Sequence, residues 1–168
     1  MNIIFDFDGV IINSHKVKTQ AFYEVFKYYG KNIALKAKKF HEKNIGKSRY
    51  FKFKYILKNI LNKKITKNEK KKINNNFEIF VQKKIKAKVP SKFLLKFLRS
   101  QKKFNNLYIS TGTPQKKIIK TLKEKNLFNY FKKVYGSPRS KVSHINEINN
   151  YDKKSIFFIG DSLEDYKA

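Results

Sequence analysis

The sequence predicts an α/β protein whose parallel sheet carries a helical segment inserted after the first strand. Three observations lead to this prediction. Short apolar runs rich in β-branched and aromatic residues, typical of buried strands, occur at the start of the chain and again in its second half. In the second half these runs alternate with helical periodicity, the pattern of a parallel α/β sheet. Between the first run and the others lies a long stretch that has helical spacing alone.

The first strand is predicted in "NIIFDF" (residues 2–7). Helical spacing then governs residues 15–88, where "TKNE" at 66–69 has the form of a capping box that begins a helix. The apolar residues of this segment that share helical stripes are Phe22, Val25, Phe26 and Tyr29, then Phe53, Ile56, Leu57, Ile60 and Leu61, and then Phe77, Phe80, Val81 and Ile85. We therefore assign 15–88 to an inserted helical domain and 1–14 with 89–168 to the α/β domain.

Pro90 marks the return to mixed strand and helix patterns. The apolar residues of the helix that follows are expected to face the core, and they are Phe93, Leu94, Phe97 and Leu98. Thr113 is expected to cap a later helix that has Pro114 at its first position. The other predicted elements are the strand "NLYIST", the strand "KKVYG", a helix from Ser140 and the strand "SIFFIGD". This alternation predicts that the strands lie parallel in one sheet.

The composition excludes several functional classes. The chain has no cysteine, which rules out a disulfide framework, a cysteine zinc site and a thiol nucleophile. Its N-terminal apolar run is interrupted by Asp6 and Asp8 and lacks a basic flank, unlike a signal peptide. No stretch approaches the ~20 apolar residues that span a bilayer. We therefore expect a cytoplasmic protein with no membrane partner.

The formal net charge of +28 raises the question of a nucleic-acid partner. Nearly all of the positive charge is lysine, however, and arginine occurs only at Arg49, Arg99 and Arg139. The chain is rich in Lys, Asn, Ile, Phe and Tyr and poor in Ala, Gly, Pro and Arg, the pattern that AT-rich codons produce. A surface selected for nucleic acid would use more arginine, whose planar guanidinium suits phosphates and bases. We therefore predict that nucleic acid is not the partner.

Four of the five aspartates lie in two short clusters, "DFDG" and "GDSLED", near opposite ends of the chain. Ligands of parallel sheets bind outside the carboxyl ends of the strands, so the residues that follow the strands are expected to meet at one edge. Those residues are Asp6 and Asp8, then Ser110, Thr111 and Gly112, then Gly136 and Lys141, and finally Asp161 and Asp165. Clustered carboxylates raise one another's pKa, and Mg²⁺ relieves that conflict while it accepts phosphate oxygens. Hydroxyl, amide and amine donors on the same edge suit the other phosphate oxygens.

The segments "DFDGV", "ISTGT", "GSPRSK" and "GDSLED" resemble the four ordered motifs of the haloacid dehalogenase-like phosphohydrolases. The helical insert is similar to the small C1 cap of that family, as in its phosphoglycolate-phosphatase-like members. The resemblance covers nearly the whole chain, and four motifs in order are far more specific than any one of them. It implies a Rossmann-like core, an α-helical cap and a Mg²⁺-dependent phosphatase that acts on a small phosphorylated metabolite.

The resemblance also implies a role for each matching residue. Asp6 would attack phosphorus and carry the phosphoryl group as an aspartyl-phosphate, and Asp8 would protonate the leaving oxygen and then activate water. The dehalogenase branch of the family lacks this second acid, so its presence favours phosphoryl transfer. The residues that would hold Mg²⁺ are Asp6, Asp161, Asp165 and the main-chain carbonyl of Asp8. Those that would bind the phosphate are Thr111, Gly112 and Lys141, with Ser110 as the alternative to Thr111 in register.

Several interpretations stay open beside these. Arg49, a rare arginine at a helix entry of the insert, could grip a substrate carboxylate or second phosphate, or it could form a surface ion pair. The chemistry needs no histidine base, so His15, His41 and His144 are expected at the surface or at helix caps. The alternative functions are a sugar phosphomutase of the same family and a non-catalytic basic relative associated with nucleic acid.

Two features depart from the family's pattern. Asn13 stands where relatives carry an acidic residue before the serine that ends the first motif, a change that would affect the hinging of the cap. The sequence also stops three residues after Asp165, whereas relatives continue through another helix and strand. We therefore expect that the C-terminal part of the core is missing, which would leave an edge of the sheet unpaired.

Overall fold

The computed structural model describes residues 1–64 and 66–168. These residues form two compact units, an α/β unit of Met1–Asn13 with Val89–Ala168 and a helical unit of Ser14–Lys88. The strands are β1 (Asn2–Phe5), β2 (Asn106–Pro114), β3 (Lys133–Ser137) and β4 (Ile156–Ile159). The α-helices are α1 (His15–Phe26), α2 (Lys31–Glu42), α3 (Arg49–Tyr55), α4 (Lys67–Lys86), α5 (Lys92–Gln101), α6 (Gln115–Glu124), α7 (Lys141–Tyr151) and α8 (Leu163–Tyr166).

The α/β unit contains a sheet whose strand order is β3-β2-β1-β4. Asn2 of β1 pairs with Asn106 of β2 on one side and with Ile156 of β4 on the other, and Tyr108 of β2 pairs with Lys133 of β3. Since all of these pairs are parallel, the carboxyl ends of the strands lie at the same edge of the sheet. The α/β class and the parallel sheet that the sequence predicts are confirmed.

Helices cover both faces of the sheet, and alternate residues of the strands supply the two hydrophobic cores. The core on the face of α5 and α6 includes Ile3, Phe5, Leu107, Ile109, Leu98, Ile118 and Leu122. The core on the face of α7 consists of Ile4, Tyr108, Tyr135 and Ile148. The polar residues that follow the strands therefore start from a sheet that is packed on both faces.

Helix α5 packs through a narrower stripe than the sequence predicts. Phe93, which was expected to face the core, is 80% exposed, whereas Leu98 is fully buried. At about 100° per residue, Phe93 lies about 140° around the helix from Leu98, while Leu94 lies only about 40° away. The prediction for Phe93 is wrong because the stripe that contacts the sheet runs through Leu94 and Leu98 and excludes the first turn's aromatic residue.

The helical unit has its own core of aromatic rings from three helices. Phe22 of α1 packs against Phe53 of α3 and Phe77 of α4, with ring centroids 5.3 and 5.1 Å apart. Before α4, the Thr66 N–H donates to Glu69 Oε2 at 2.9 Å, and the Glu69 N–H donates to Thr66 Oγ1 at 3.2 Å. The predicted capping box is thus confirmed. No described helix is both long and apolar enough to cross a membrane.

Candidate active site

A buried ion-paired cluster forms where the ends of β1 and β4 meet the start of α7. Lys141, the first residue of α7, donates from Nζ to Asp6 Oδ2 at 2.8 Å and to Asp165 Oδ1. Asp6 is 3% exposed, and Lys141 and Asp165 are each 8% exposed. Charges this well buried are stable only when they are paired and hydrogen-bonded. The fold therefore brings three of the predicted site residues into direct contact.

The backbone orients the Asp6 carboxylate. The Asp6 N–H donates to the Ile159 carbonyl of β4 at 2.9 Å, which extends the sheet pairing one residue past β1. Its Oδ1 accepts the N–H of Phe7 at 2.6 Å, while Oδ2 accepts from Lys141. Both carboxylate oxygens therefore have donors, and the direction of the side chain is set by the chain itself.

The protonation of this cluster reflects burial and charge together. The pKa of Asp6 is raised to about 6, because burial raises it more than Lys141 lowers it, and the charges of Asp8 and Asp165 add to the rise. For Lys141, burial alone would lower the pKa, but Asp6 and Asp165 outweigh burial and raise it above the ordinary value. Lys141 is therefore a permanent cation, whereas Asp6 titrates near neutral pH unless a further cation favours its ionised form.

The turn that opens α8 holds Asp165. Its Oδ2 accepts the Ser162 N–H at 3.0 Å and the Ser162 hydroxyl at 2.5 Å. Gly160 permits this approach, since a Cβ at that position would lie 2.2 Å from the Asp165 Cβ. Asp165 thus accepts from Lys141 through Oδ1 and from Ser162 of its own turn through Oδ2.

Asp161 joins the same cluster from the exposed side. One carboxylate oxygen of each of Asp6, Asp161 and Asp165 lies within 4.8 Å of those of the other two. These are hard oxygen donors, and the exposure of Asp161 leaves one side open to water and to a ligand. This donor set fits Mg²⁺, which binds a few carboxylates, keeps several waters and accepts phosphate oxygens. The main-chain carbonyl of Asp8 as a further ligand stays a prediction.

Neighbouring hydroxyls at the end of β2 have different partners. Thr111 is buried, and its Oγ1 accepts the N–H of Thr113 at 3.2 Å, across the intervening Gly112. The Ser110 hydroxyl lies 2.9 Å from Nδ1 of His144 on α7. Ser110 therefore contacts the helix on one face of the sheet, and Thr111 and Gly112 follow it at the C-terminal end of β2.

Two of the three histidines are buried, so the prediction that they lie at the surface or at caps is wrong. His144 has no exposed surface and stacks on Tyr135, and His41 stacks on Phe22, with ring centroids 5.1 and 4.4 Å apart. Burial first, and the charge of Arg139 second, lower the pKa of His144 to about 4. Each ring packs flat against an aromatic neighbour, which is why both histidines are tolerated in a core.

Thr113 takes part in the site, contrary to the prediction from the sequence. Pro114, not Thr113, is the N-cap residue of α6, so the predicted cap is wrong. The Thr113 hydroxyl instead donates to Asp8 Oδ2 at 3.1 Å. One signal in the sequence indicates this contact, because residues i and i+2 of a strand share a face and Thr111 is a predicted site residue.

Arg49 has partners inside the helical unit. It forms an ion pair with Glu78 of α4, and its guanidinium carbon lies 5.4 and 5.6 Å from the ring centres of Tyr50 and Phe77. A role in gripping a substrate would require the ion pair with Glu78 to open.

A known protein family and several solved structures agree with the resemblance carried by the four sequence motifs. A family model described as haloacid dehalogenase-like hydrolase matches residues 1–168. No curated protein matches the sequence. Among solved structures, the haloacid dehalogenase-like family protein SP0104 from Streptococcus pneumoniae is 18% identical with a TM-score of 0.69, covering 98% of this chain and 77% of that one.

Two other solved structures are similar. A predicted phosphoglycolate phosphatase from Haemophilus somnus 129PT is 18% identical with a TM-score of 0.70, covering 97% of this chain and 77% of that one. The HAD-hydrolase YfnB from Bacillus subtilis, bound to magnesium, is 15% identical with a TM-score of 0.67, covering 97% of this chain and 80% of that one. At these identities the likeness establishes a shared fold.

Proposed function

The chain belongs to the haloacid dehalogenase-like hydrolases, and from this premise we propose that it is a Mg²⁺-dependent phosphatase acting on a small phosphorylated metabolite. Asp6 is the nucleophile, and Asp8 is the general acid and then the general base. The observation that carries the proposal is the convergence of Asp6, Lys141, Asp161 and Asp165 at one edge of a parallel sheet.

In the first step, an Asp6 carboxylate oxygen attacks phosphorus, and the bond from phosphorus to the leaving-group oxygen breaks. Asp8 gives its proton to that oxygen, so the organic part of the substrate leaves as an alcohol. Lys141, with Nζ 2.8 Å from Asp6 Oδ2, balances charge on the nucleophile and on the phosphoryl oxygens. Thr111 and the N–H of Gly112 supply further donors to those oxygens.

In the second step, Asp8 is a carboxylate and takes a proton from water as the water oxygen attacks phosphorus. The bond between phosphorus and Asp6 breaks, inorganic phosphate leaves, and both aspartates return to their starting states. The two acids of "DFDG" therefore complete the cycle without a histidine base.

Asp6, Asp161 and Asp165 are the residues that would hold the divalent cation. When bound, Mg²⁺ supplies positive charge to the phosphate oxygens and favours the ionised form of Asp6. Lys141 compensates the same carboxylates from the buried side, and Ser162 keeps Asp165 turned toward them.

A phosphate-release screen over many phosphorylated metabolites with Mg²⁺ tests the proposal. Asp6→Asn preserves the shape of the side chain and removes the nucleophile, so activity is expected to fall by about 10³-fold or more. Glu124→Gln, the same carboxylate-to-amide change on the exposed face of α6, is the matched control and should keep full activity. Activity that survives in Asp6→Asn would remove Asp6 from the role of nucleophile.

The products of the screen separate the alternative functions. A phosphomutase would form the aspartyl-phosphate and pass it to a sugar, so the phosphoryl group would be recovered as sugar phosphate rather than as inorganic phosphate. A non-catalytic relative associated with nucleic acid would show salt-dependent binding to DNA or RNA that neither Asp6→Asn nor a chelator changes.

A further inference from the structure

The C-terminal end of β2 connects the general acid to the phosphate-binding hydroxyl through a single residue, Thr113. Thr113 donates from Oγ1 to Asp8 Oδ2 at 3.1 Å and from its N–H to Thr111 Oγ1 at 3.2 Å. The three residues belong to the ends of two adjacent parallel strands. Thr113 thus contacts the side chains to which the proposed function gives a proton-transfer role and a phosphate-binding role.

An irregularity of the sheet places Thr113 in this position. Ser110 pairs with Tyr135 and Pro114 pairs with Ser137, so four steps along β2 match only two steps along β3. Residues 111–113 of β2 lie opposite Gly136 alone, so β2 has two surplus residues here and this segment is displaced from the regular ladder. Such bulges re-aim side chains next to binding sites.

Gln115 at the start of α6 and Gly136 of the neighbouring strand β3 hold the displaced segment. The Gln115 side-chain amide donates to the Val134 carbonyl at 2.7 Å and accepts the N–H of Gly136, so it supplies hydrogen bonds that the interrupted ladder lacks. Gly136 allows close contact, since a Cβ there would lie 2.5 Å from the Thr113 carbonyl oxygen and 2.7 Å from the Gln115 nitrogen. These contacts therefore hold the main chain of Thr113 in place, which fixes the position from which its hydroxyl reaches Asp8.

The backbone around Asp8 is held independently. The Gly9 N–H donates to the Ile12 carbonyl at 2.8 Å, and the Ile11 and Ile12 N–H groups both donate to the Phe7 carbonyl at 3.0 Å. A tight turn thus fixes the main chain of Asp8, and what its carboxyl group does depends on the side-chain contacts it makes.

We propose that Thr113 is a positioning residue that aims the Asp8 carboxyl at the leaving-group oxygen, an inference that rests on the proposed function of Asp8. While Thr113 donates to Oδ2, the proton that Asp8 transfers is carried on Oδ1. Because Thr111 Oγ1 accepts the Thr113 N–H, the Thr111 hydroxyl proton is directed toward the phosphate. A substitution of the Thr113 side chain leaves that N–H in place. The substitution should therefore impair proton transfer by Asp8 and leave phosphate binding by Thr111 unchanged.

Leaving-group dependence tests the proposal. An alkyl phosphate needs its oxygen protonated as it departs, whereas p-nitrophenolate leaves without a proton. For Thr113→Val, which keeps the shape and loses the hydroxyl, kcat/KM is expected to fall about 10- to 100-fold on the alkyl phosphate, the cost of removing one partner of a partly buried hydrogen bond. On p-nitrophenyl phosphate it should change less than about 3-fold, and Thr113→Ser should restore most of the alkyl phosphate activity.

Matched variants separate positioning from a folding defect. Thr121→Val makes the same change on α6, away from the strand ends, and should leave both substrates unaffected. Thr113→Ala, which adds no bulk, should show the same selective loss as Thr113→Val. An equal loss on both substrates, or a Thr113→Ser variant as impaired as Thr113→Val, would overturn the proposal.

A second readout does not depend on activity. NMR three-bond couplings of the Asp8 β-protons report its side-chain rotamer, which should be single in the wild type and in Thr113→Ser and averaged in Thr113→Val. Unchanged couplings in Thr113→Val would contradict the positioning role. Failure of the proposed function would instead appear as full activity in Asp6→Asn, or as no phosphatase activity in the wild type, while these couplings still report on Thr113.

Discussion

His144 lies on α7, one helical turn beyond Lys141, with no exposed surface. Its Nδ1 is 2.9 Å from the Ser110 hydroxyl, so the residue links the helix that carries Lys141 to the strand that carries Thr111. The ring stacks on Tyr135 of the next strand. One buried histidine therefore connects α7, which carries Lys141, to β2, which carries Thr111, although the proposed reaction does not use the histidine itself.

The neutral state of His144 predicts a pH dependence of stability. Burial holds its pKa at about 4 in the folded protein, against 6.5 for an ordinary histidine. Between these values the unfolded chain binds more protons, so the free energy of unfolding falls as the pH drops from 6.5 toward 4. An asparagine at position 144 does not titrate, so His144→Asn lacks this pH-dependent contribution to the free energy of unfolding. The stability advantage of the wild type over the variant should therefore shrink as the pH falls from 6.5 toward 4.

Urea unfolding at pH 7 and at pH 4.5 measures this difference. Other groups titrate in the same range, but they are present in both proteins and cancel in the comparison. A wild-type advantage that stays constant between the two pH values would show that His144 is not held neutral by the fold.

At the scale of elements, the position of α8 depends on Gly160, which precedes the helix. Adding a Cβ at Gly160 would place it 2.2 Å from Asp165 Cβ and 2.3 Å from Asp165 Cγ, so the helix must shift. For Gly160→Ala we expect a loss of stability of about 1–3 kcal/mol from overpacking and at least a tenfold weaker Mg²⁺ affinity, because Asp165 moves away from Asp6.

Isothermal titration with Mg²⁺ and urea unfolding check the Gly160→Ala prediction. Ser155→Ala, at the other end of the same strand segment and exposed, is the control and should change neither quantity by much. If Gly160→Ala bound Mg²⁺ as tightly as the wild type, the close approach of Asp165 would not matter for the metal.

At the scale of the whole molecule, charge is strongly unbalanced. The formal net charge is +28, yet acidic groups gather at one edge of the sheet. A net charge this far from zero destabilises a compact state by self-repulsion, while a cluster of carboxylates attracts a cation locally. The proposed divalent cation would therefore act on this protein through a specific site and not through its general surface.

Thermal unfolding with and without Mg²⁺ tests that distinction. A ligand at about 100 times its Kd stabilises the folded protein by about 2.7 kcal/mol, and the melting temperature should rise accordingly. Asp161→Asn should abolish the rise, whereas Glu164→Gln, on the same turn but outside the cluster, should keep it. KCl at matched ionic strength is the salt control, and an equal rise in Asp161→Asn would exclude the site.

Features encoded within a few residues were predictable from the sequence. The capping box of Thr66 and Glu69 closes hydrogen bonds across three residues, and the start of α7 at Ser140 is set by its bond from the Ser143 N–H at 3.1 Å. The strands were visible because they are short, apolar and bounded by turn residues. The bulge of β2 and the burial of His144 were not predictable, because each depends on an adjacent element and not on local spacing.

By itself, the sequence determined the α/β class and which polar residues follow the strands, because periodicity and turn chemistry act over a few residues along the chain. Only the tertiary structure decided which of these residues touch. Lys141 reaches Asp6 across 135 positions, and Thr113 reaches Asp8 across 105. Contacts at hydrogen-bond distance across such separations depend on the register of neighbouring strands, and a single bulge was enough to turn an expected helix cap into a partner of Asp8.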